Sequence, residues 1–326
     1  MKPENWTQVT EFVLLGFPKS WALQLMLFLG LLVTYVVTVI GNLLIIVLSW
    51  SDHRLHTQMY FFLRNLSLLE LMLVSVVVPK MLVSILTKDY TISFSGCIMQ
   101  SYFYFLLGTT DFFLLAVMSL DRYLAICRPL HYESLMSSRI CAWLVLASWL
   151  AGFLWTLCPT ILMANLPFCG PNGIDHFFCD SWPLMGLSCG DTQLLELVAF
   201  LLSTALLLGS LTLTSSSYAF ILATVFHIPI ATERKKAFST CASHLTVVVM
   251  FYGSSIFLYI RTSEAQSMLL NKGVSALNCI ISPLLNPFIF SLRNDKVKQA
   301  LHDSIRWHKP MGTKLVSSTR YKIVFL

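Results

Sequence analysis

Long apolar stretches separated by short polar connections dominate this chain. A helix that crosses a bilayer needs about 20 mostly apolar residues, because the hydrocarbon core is about 30 Å thick and a helix rises about 1.5 Å per residue. Seven stretches meet this length: Ala22 to Trp50, Leu66 to Leu86, Tyr90 to Leu120, Ile140 to Ala164, Leu197 to Phe226, Ala237 to Ile260 and Val274 to Leu292. The pattern predicts an all-α membrane protein, built as a bundle of seven transmembrane helices.

The composition agrees with a chain that faces lipid. Of its 326 residues, 56% are hydrophobic and only 12% are charged. Soluble domains carry about 25% charged residues, so this chain has too little charge to cover a water-exposed surface. A soluble globular protein and a disordered chain are both excluded.

The distribution of basic residues sets the orientation. Seven spans place the two termini on opposite sides of the membrane, and Lys and Arg concentrate on the cytoplasmic side. With the amino terminus outside, 16 of the 22 basic residues are cytoplasmic. The outer side then holds Lys2, Lys19, Lys80, Lys88, Arg261 and Lys272. The net charge of +6 is therefore explained by topology and by contact with anionic lipid, and nucleic acid is not expected as a partner.

This orientation divides the chain into three parts. Residues 1–21 form an extracellular tail, 22–292 the seven-span domain, and 293–326 a cytoplasmic helix and tail. The sequon at Asn5 predicts glycosylation of the outer tail. In the last part, Asn294 can cap a short amphipathic helix with Val297, Ala300, Leu301, Ser304 and Ile305 on one face, which we expect to lie along the inner leaflet.

Four cysteines fall on the predicted outer side, where disulfides form: Cys97, Cys169, Cys179 and Cys189. An even set of four allows three pairings, and the spacing does not choose among them. A bond between Cys97 and Cys179 would close a loop of about 80 residues, worth roughly 4 kcal/mol in the chain-entropy model.

Two carboxylates lie near the middle of the predicted membrane. Glu70 and Asp111 fall in neighbouring spans, and Asn286 of the last span can reach the same layer. An ionisable group at this depth costs about 2.5 to 3.5 kcal/mol on insertion scales. The pair is interpreted as a site for Na⁺ or a shared proton, with a purely structural hydrogen-bonded pair as the alternative.

An acid–base pair marks the inner end of the third span. Asp121 and Arg122 are expected to form an ion pair beside the cytosol, but adjacent residues on a helix face one another poorly, so Arg122 is free to exchange partners, and Tyr218 and His244 are the candidates. Taken alone, Asp121-Arg122-Tyr123 is also compatible with a surface pair that has no function.

Several ordered motifs follow one another along the chain: Leu55 to Leu63, Met118 to Cys127 with Pro129-Leu130, Ser217-Tyr218, Lys236 to His244, Pro283 to Pro287, and Ser291 to Asn294. Together these motifs resemble those of vertebrate odorant receptors, rhodopsin-like G-protein-coupled receptors, and specifically their tetrapod (class II) branch. The similarity runs from Phe12 to about Leu301.

The resemblance implies a multi-pass plasma-membrane receptor that binds a small volatile organic ligand and activates the stimulatory olfactory G protein, which raises cAMP. It implies the disulfides Cys97–Cys179 and Cys169–Cys189, and a coupling switch of Asp121, Arg122, Tyr218 and His244 with Asn286 and Pro287. The implied ligand contacts lie in the outer half of the bundle: Tyr104, Phe105, Gly108, Thr109, Leu202, Ser203, Leu206, Tyr252, Ser255, Ile256, Tyr259, Ala276 and Cys279.

The sequence departs from the family pattern at Gln58, at Ser119-Leu120 and at Phe290, where the family usually has Pro, Ala-Tyr and Tyr. The acids at Glu70 and Asp111 are exchanged relative to the family, which keeps the charge. Residues 102–109 hold no acid, and residues 273–292 hold no Lys for a Schiff base, so a neutral ligand is expected.

A transporter, an enzyme and a metal-binding protein are the less favoured interpretations of this sequence. A proton or ion transporter using Glu70, Asp111 and His244 would need repeat symmetry and a polar lane, and the sequence has neither. An enzyme is not expected, since no HExxH or nucleophile–base spacing occurs. Metal binding by His176 and Asp180 is less favoured than a structured loop, so no metal and no other cofactor is predicted.

Overall fold

The computed structural model describes residues 9–227, 229–259, 272–292 and 295–307. The helices in these ranges are α1 (Trp21–Ser51), α2 (Gln58–Thr87), α3 (Phe94–Cys127), α4 (Tyr132–Leu135), α5 (Ser138–Ala164), α6 (Ser181–Met185), α7 (Gln193–Phe226), α8 (Ala231–Tyr259), α9 (Ser282–Leu292) and α10 (Asp295–Trp307). Residues 272–276 are also helical and lead through a π-helical turn, Leu277–Ile281, into α9. Short strands are β1 (Glu11–Leu14), β2 (Thr91–Ser93) and β3 (Gly173–Ile174).

Five of the described helices are long and apolar enough to cross a membrane, namely α1, α2, α3, α5 and α7. In α8 a shorter apolar run, His244–Ile256, lies within the described residues. The chain is thus a largely helical bundle of membrane-spanning length. Some helices run beyond the predicted apolar stretches: α2, for example, begins at Gln58 rather than near Leu66, and the added turns bury Tyr60, Phe62 and Leu63.

Helix α3 is the centre of the bundle, where it packs against α2, α5 and α7, while α1 packs against α2 and α9. The approach of α5 to α3 is close at Gly152. A Cβ at this position would lie 2.1 Å from Thr110 Oγ1, so only glycine fits. Thr110 itself is fully buried and donates to Leu106 O at 2.8 Å, which satisfies its hydroxyl inside the helix.

One end of the bundle, here called the disulfide end, carries a small sheet in the order β2-β1-β3. Strand β1 pairs antiparallel with β2, Phe12 opposite Ile92, and parallel with β3, Val13 opposite Gly173. The expectation that the third helix begins at Tyr90 is therefore wrong. The backbone of Thr91–Ser93 pairs with β1, and α3 starts only at Phe94, behind the N-cap Ser93, whose side chain accepts from Gly96 N.

The opposite end, here called the Arg122 end, is closed by α10. The predicted amphipathic helix is present over Asp295–Trp307, and its Val297 and Ala300 are buried in the main apolar core. This face therefore packs on the bundle. Arg54 Nη2 bonds Asp303 Oδ2 at 2.8 Å and fixes α10 to the connection between α1 and α2. Asn294 and residues 308–326 lie outside the described residues.

Candidate functional site

The connection of residues 165–192, here called the roof, covers the disulfide end. Cys97 of α3 is bonded to Cys179, with Cα atoms 5.4 Å apart, and Cys169 to Cys189, 5.8 Å apart. Of the three pairings that the sequence allows, the structure contains the one that the family resemblance implies. Gln100 adds a polar anchor, since its Oε1 accepts from Cys179 N and its Nε2 donates to Val76 O, both at 3.0 Å.

The underside of the roof rests on expected ligand contacts. Phe178, 1% exposed, packs on Tyr104 with ring centroids 4.7 Å apart and the ring planes tilted by 49°. Ala276 and Cys279 belong to the same apolar cluster, and Phe105 meets the Tyr104 ring at 5.2 Å. The structure therefore brings three of the predicted ligand residues, Tyr104, Ala276 and Cys279, together beneath the roof.

The remaining predicted ligand contacts are not members of this cluster. Tyr252 and Ile256 pack in a second cluster with α7, and the Tyr252 hydroxyl lies 3.3 Å from Thr214 Oγ1. Two predicted hydroxyls already bond within their own helices, Ser203 to Ala199 O and Ser255 to Phe251 O. Thr109 and Leu206 are buried, Leu202 is half-buried, and Gly108 faces open space. The Tyr259 side chain and Asn5 lie outside the described residues.

The two mid-membrane acids share a cavity of about 20 Å³. Glu70, Asp111 and Asn286 line it, as do Asn278 and Ser282. Asn286 Nδ2 donates to Glu70 Oε1, while Asp111 Oδ1 is buried and has no hydrogen-bond partner within the described ranges. The space exceeds the minimum of about 10–15 Å³ that one water needs. The residues of the predicted layer thus line one small cavity, whose other walls are mostly apolar.

Sequence reasoning missed two supports of this layer. Asn42 of α1 donates to Pro283 O, 3.1 Å away, and joins α1 to α9. Ser254 of α8 donates to Asn278 Oδ1 at 2.5 Å. Pro287 lies beside Gly41, where an added Cβ would be 3.2 Å from the proline side chain. A lone Asn or Ser in an apolar stretch gives no signal of its partner, so only the structure identifies these contacts.

At the Arg122 end, the expected ion pair of Arg122 with its neighbour Asp121 is present. Arg122 Nη2 and Nε both donate to Asp121 Oδ2, Nε at 3.0 Å, because the long side chain bends back along the helix. Tyr218 and His244 instead bond to each other, hydroxyl to Nδ1. A cavity of about 10 Å³, lined by Asp121, Arg122 and His244 among others, lies between the two pairs.

Asp121 has a further partner that the sequence did not reveal. Tyr132 of α4 donates its hydroxyl to Asp121 Oδ1 at 2.7 Å, so the carboxylate, 1% exposed, holds Arg122 with one oxygen and Tyr132 with the other. Burial and the adjacent carboxylate raise the pKa of Tyr132. The phenol therefore stays a donor at all physiological pH values.

The roof also contains the predicted candidate metal ligands. His176 Nε2 and Asp180 Oδ2 lie 3.8 Å apart, and the His176 ring packs on Phe178 at 4.5 Å. Within the described ranges, no group of three or more His, Cys, Asp and Glu side chains is placed to hold a metal ion. The contacts that are present are those of a folded loop.

A helical membrane bundle with a disulfide-bonded roof and a buried acid–arginine pair at the far end has the organisation of a membrane receptor. The sequence model described as "Olfactory receptor" matches residues 31–306. The chain is 76% identical to human olfactory receptor 6T1, over 94% of this chain and 95% of the relative. It is 52% identical to mouse olfactory receptor 6E1, over 92% and 96%, and 51% identical to human olfactory receptor 6C75, over 93% and 97%.

The chain belongs to the olfactory receptor family and is thus a multi-pass G-protein-coupled receptor of the plasma membrane. This family consists of receptors, not enzymes, and the membership goes against the transporter alternative.

Proposed function

We propose that this protein is an odorant receptor that binds a small neutral volatile organic molecule between Tyr104 and Cys279 and activates the stimulatory olfactory G protein, which raises cAMP. The remaining helices, α8 and the segment 272–292, complete a seven-span bundle. The disulfide end faces outward with the amino terminus, and the Arg122 end faces the cytosol. One observation supports this proposal: an apolar cluster lies beneath the roof at the disulfide end, while the Arg122 end carries ionic contacts that can be exchanged.

The surroundings of Tyr104 support a neutral, mostly apolar ligand. The cluster beneath the roof consists chiefly of aromatic and aliphatic side chains, such as Phe178, Ala276 and Ile280. Pockets of this kind bind by apolar contact, and a few polar groups orient the ligand. The Tyr104 hydroxyl and the Thr109 hydroxyl are the groups that would hold an alcohol, aldehyde, ketone or ester.

In the proposed mechanism, contacts at the Arg122 end change when the ligand binds, and this change activates the G protein. An outward movement of α8 would break the Tyr218–His244 bond, which joins α7 to α8. Arg122 would then exchange Asp121 for a group of the G protein, and Tyr132 would retain Asp121. Ligand binding can drive this change only through a difference in affinity for the two arrangements.

A cAMP reporter assay in transfected cells tests the proposal. An odorant panel should evoke cAMP with the wild-type receptor, and Arg122→Ala should abolish this response at equal surface level. Arg139→Ala, an exposed arginine at the start of α5, is the matched control and should retain it. Odorant-dependent cAMP that survives Arg122→Ala would contradict the switch, and ion flux without G protein would support a transporter.

The topology has its own test. Residues 1–21 should be extracellular, residues 293–326 cytoplasmic, and Asn5 glycosylated. An epitope at the amino terminus should be labelled on intact cells, whereas one at the carboxyl terminus should need permeabilisation. Asn5→Gln should remove the mobility shift that a glycosidase produces.

We also propose that the cavity between Glu70 and Asp111 holds Na⁺ or a shared proton. Two carboxylates this close are stabilised when they share a cation or a proton. Replacing external Na⁺ by a large organic cation should shift the odorant dose–response curve of the wild type but not of Asp111→Asn. A curve that moves equally in both would contradict a Na⁺ site, and a curve that shifts with pH instead would favour the proton.

A further inference from the structure

The roof is attached unequally on its two sides. Toward α3 it is held covalently, through Cys97–Cys179 and the Gln100 contact. Toward the segment 272–292, a charged contact joins Asp175 to Lys272, with Oδ1 and Nζ 2.5 Å apart. One side is thus permanent, and the other includes a contact that can open.

The pair lies near the edge of the sheet, in a position to move the roof. Asp175 follows β3 directly, and Gly16 lies so close to His176 that an added Cβ would be 2.5 Å from the His176 carbonyl carbon. The backbone here is tightly packed against the tail. Phe178 is three residues after Asp175, so a displacement of Asp175 would be transmitted to it along the roof.

Phe178 is the residue through which the roof covers the ligand cluster. It packs on Tyr104, and Cys279, 1% exposed, belongs to the same cluster. If the edge of the roof next to Lys272 moved away from the bundle, Tyr104 and Cys279 would become accessible. The opposite edge cannot lift in the same way, since Cys179, the neighbour of Phe178, is bonded to Cys97.

The strength of the contact suits opening and closing. The Lys272 side chain is 14% exposed and Asp175 is 47% exposed, so water screens the pair. Such partly exposed pairs are weak compared with a covalent bond and break on thermal fluctuation. Their attraction also falls with ionic strength.

We propose that the Asp175–Lys272 ion pair is a latch, and that small molecules reach Tyr104 and Cys279 through the side of the roof that it closes. The inference deepens the proposed function, since the passage serves the ligand site assigned above. The latch determines how fast a ligand enters and leaves.

Chemical labelling tests the latch without an odorant. Membranes holding the full-length receptor are treated with a small uncharged methanethiosulfonate, which transfers its methylthio group to a thiol and releases methanesulfinate. The rate at which Cys279 is modified is read by peptide mass spectrometry. Cys158, an exposed free cysteine of α5, is the internal control for reagent and folding.

Charge reversal supplies the variants. Lys272→Asp and Asp175→Lys should each raise the Cys279 labelling rate several-fold, because like charges then repel, and the double reversal should return it to within about twofold of the wild type. Lys88→Asp removes an exposed lysine that lies over the Trp21 ring, so it is the matched control and should change nothing. An unchanged rate in both single variants, or no recovery in the double variant, would overturn the latch.

Odorant kinetics separate this inference from the proposed function. If an odorant activates the wild type, cAMP should decay several-fold faster after washout in the single variants, and equal decay would overturn the latch. If no odorant activates the wild type, the proposed function fails, while Cys279 labelling still decides whether the pair closes the roof.

Discussion

The two ends of this receptor are held by different chemistry. The disulfide end is fixed by Cys97–Cys179, by Cys169–Cys189 and by backbone pairing of β1 with two other strands. At the Arg122 end, side chains hold the helices: Asp121 binds Arg122 and Tyr132, Tyr218 binds His244, and Arg54 binds Asp303. Covalent and backbone contacts keep one partner, whereas side-chain contacts can be exchanged for others. The comparison teaches that the disulfide end is held mainly by covalent and backbone contacts, and the Arg122 end by side-chain contacts, as the response proposed for that end requires.

The largest effect is expected at the fixed end. Cys97→Ser opens a loop with a sequence separation of 82 residues, and the chain-entropy model puts the loss at about 4 kcal/mol. Surface expression should fall to near background, and the melting temperature of the solubilised receptor should drop. Cys158→Ser, which removes an exposed free thiol, should leave both unchanged. Normal expression of Cys97→Ser would show that the sheet alone fixes this end.

An intermediate effect is expected at Tyr132. Tyr132→Phe removes the hydroxyl that holds Asp121, a hydrogen bond to a charged group worth about 1.5–3 kcal/mol. Basal cAMP should rise by about tenfold at an unchanged surface level, because Arg122 is held less firmly. Tyr35→Phe, which removes an exposed hydroxyl 3.2 Å from Ser75, is the matched control and should behave as wild type. Basal activity equal to wild type would place Tyr132 outside the switch.

The smallest effect is expected where α10 meets the loop after α1. Arg54 lowers the pKa of Asp52 to about 2, so the stabilisation is complete above about pH 4 and is lost as the pH falls toward 2. Asp52→Asn should lower the melting temperature by no more than about 2 °C at pH 7, and the difference should shrink below pH 4. Glu133→Gln, an exposed acid of α4, should show no such pH dependence. If the difference in melting temperature between Asp52→Asn and the wild type stayed constant with pH, the charge of Asp52 would not be its cause.

The length of the apolar stretches alone predicted the long helices, because every segment that spans the bilayer needs about that many apolar residues. The disulfide pairing came from family motifs, since spacing could not choose among three pairings. The sheet was missed because four residues of β1 carry too short an alternation to indicate a strand. Tyr132 was missed because its partner lies 11 residues earlier on another helix. Contacts set by tertiary packing leave no local pattern, which is why Asn42 and Ser254 also went unpredicted.

Strand β1 has a consequence for biosynthesis. Its neighbours come from residues 91–93 and 173–174, so the first strand of the chain completes its sheet only after the ribosome has delivered five helices. Until then residues 11–14 lack one of their two partner strands. A fusion partner placed upstream should therefore be joined by a linker long enough to let this segment dock late.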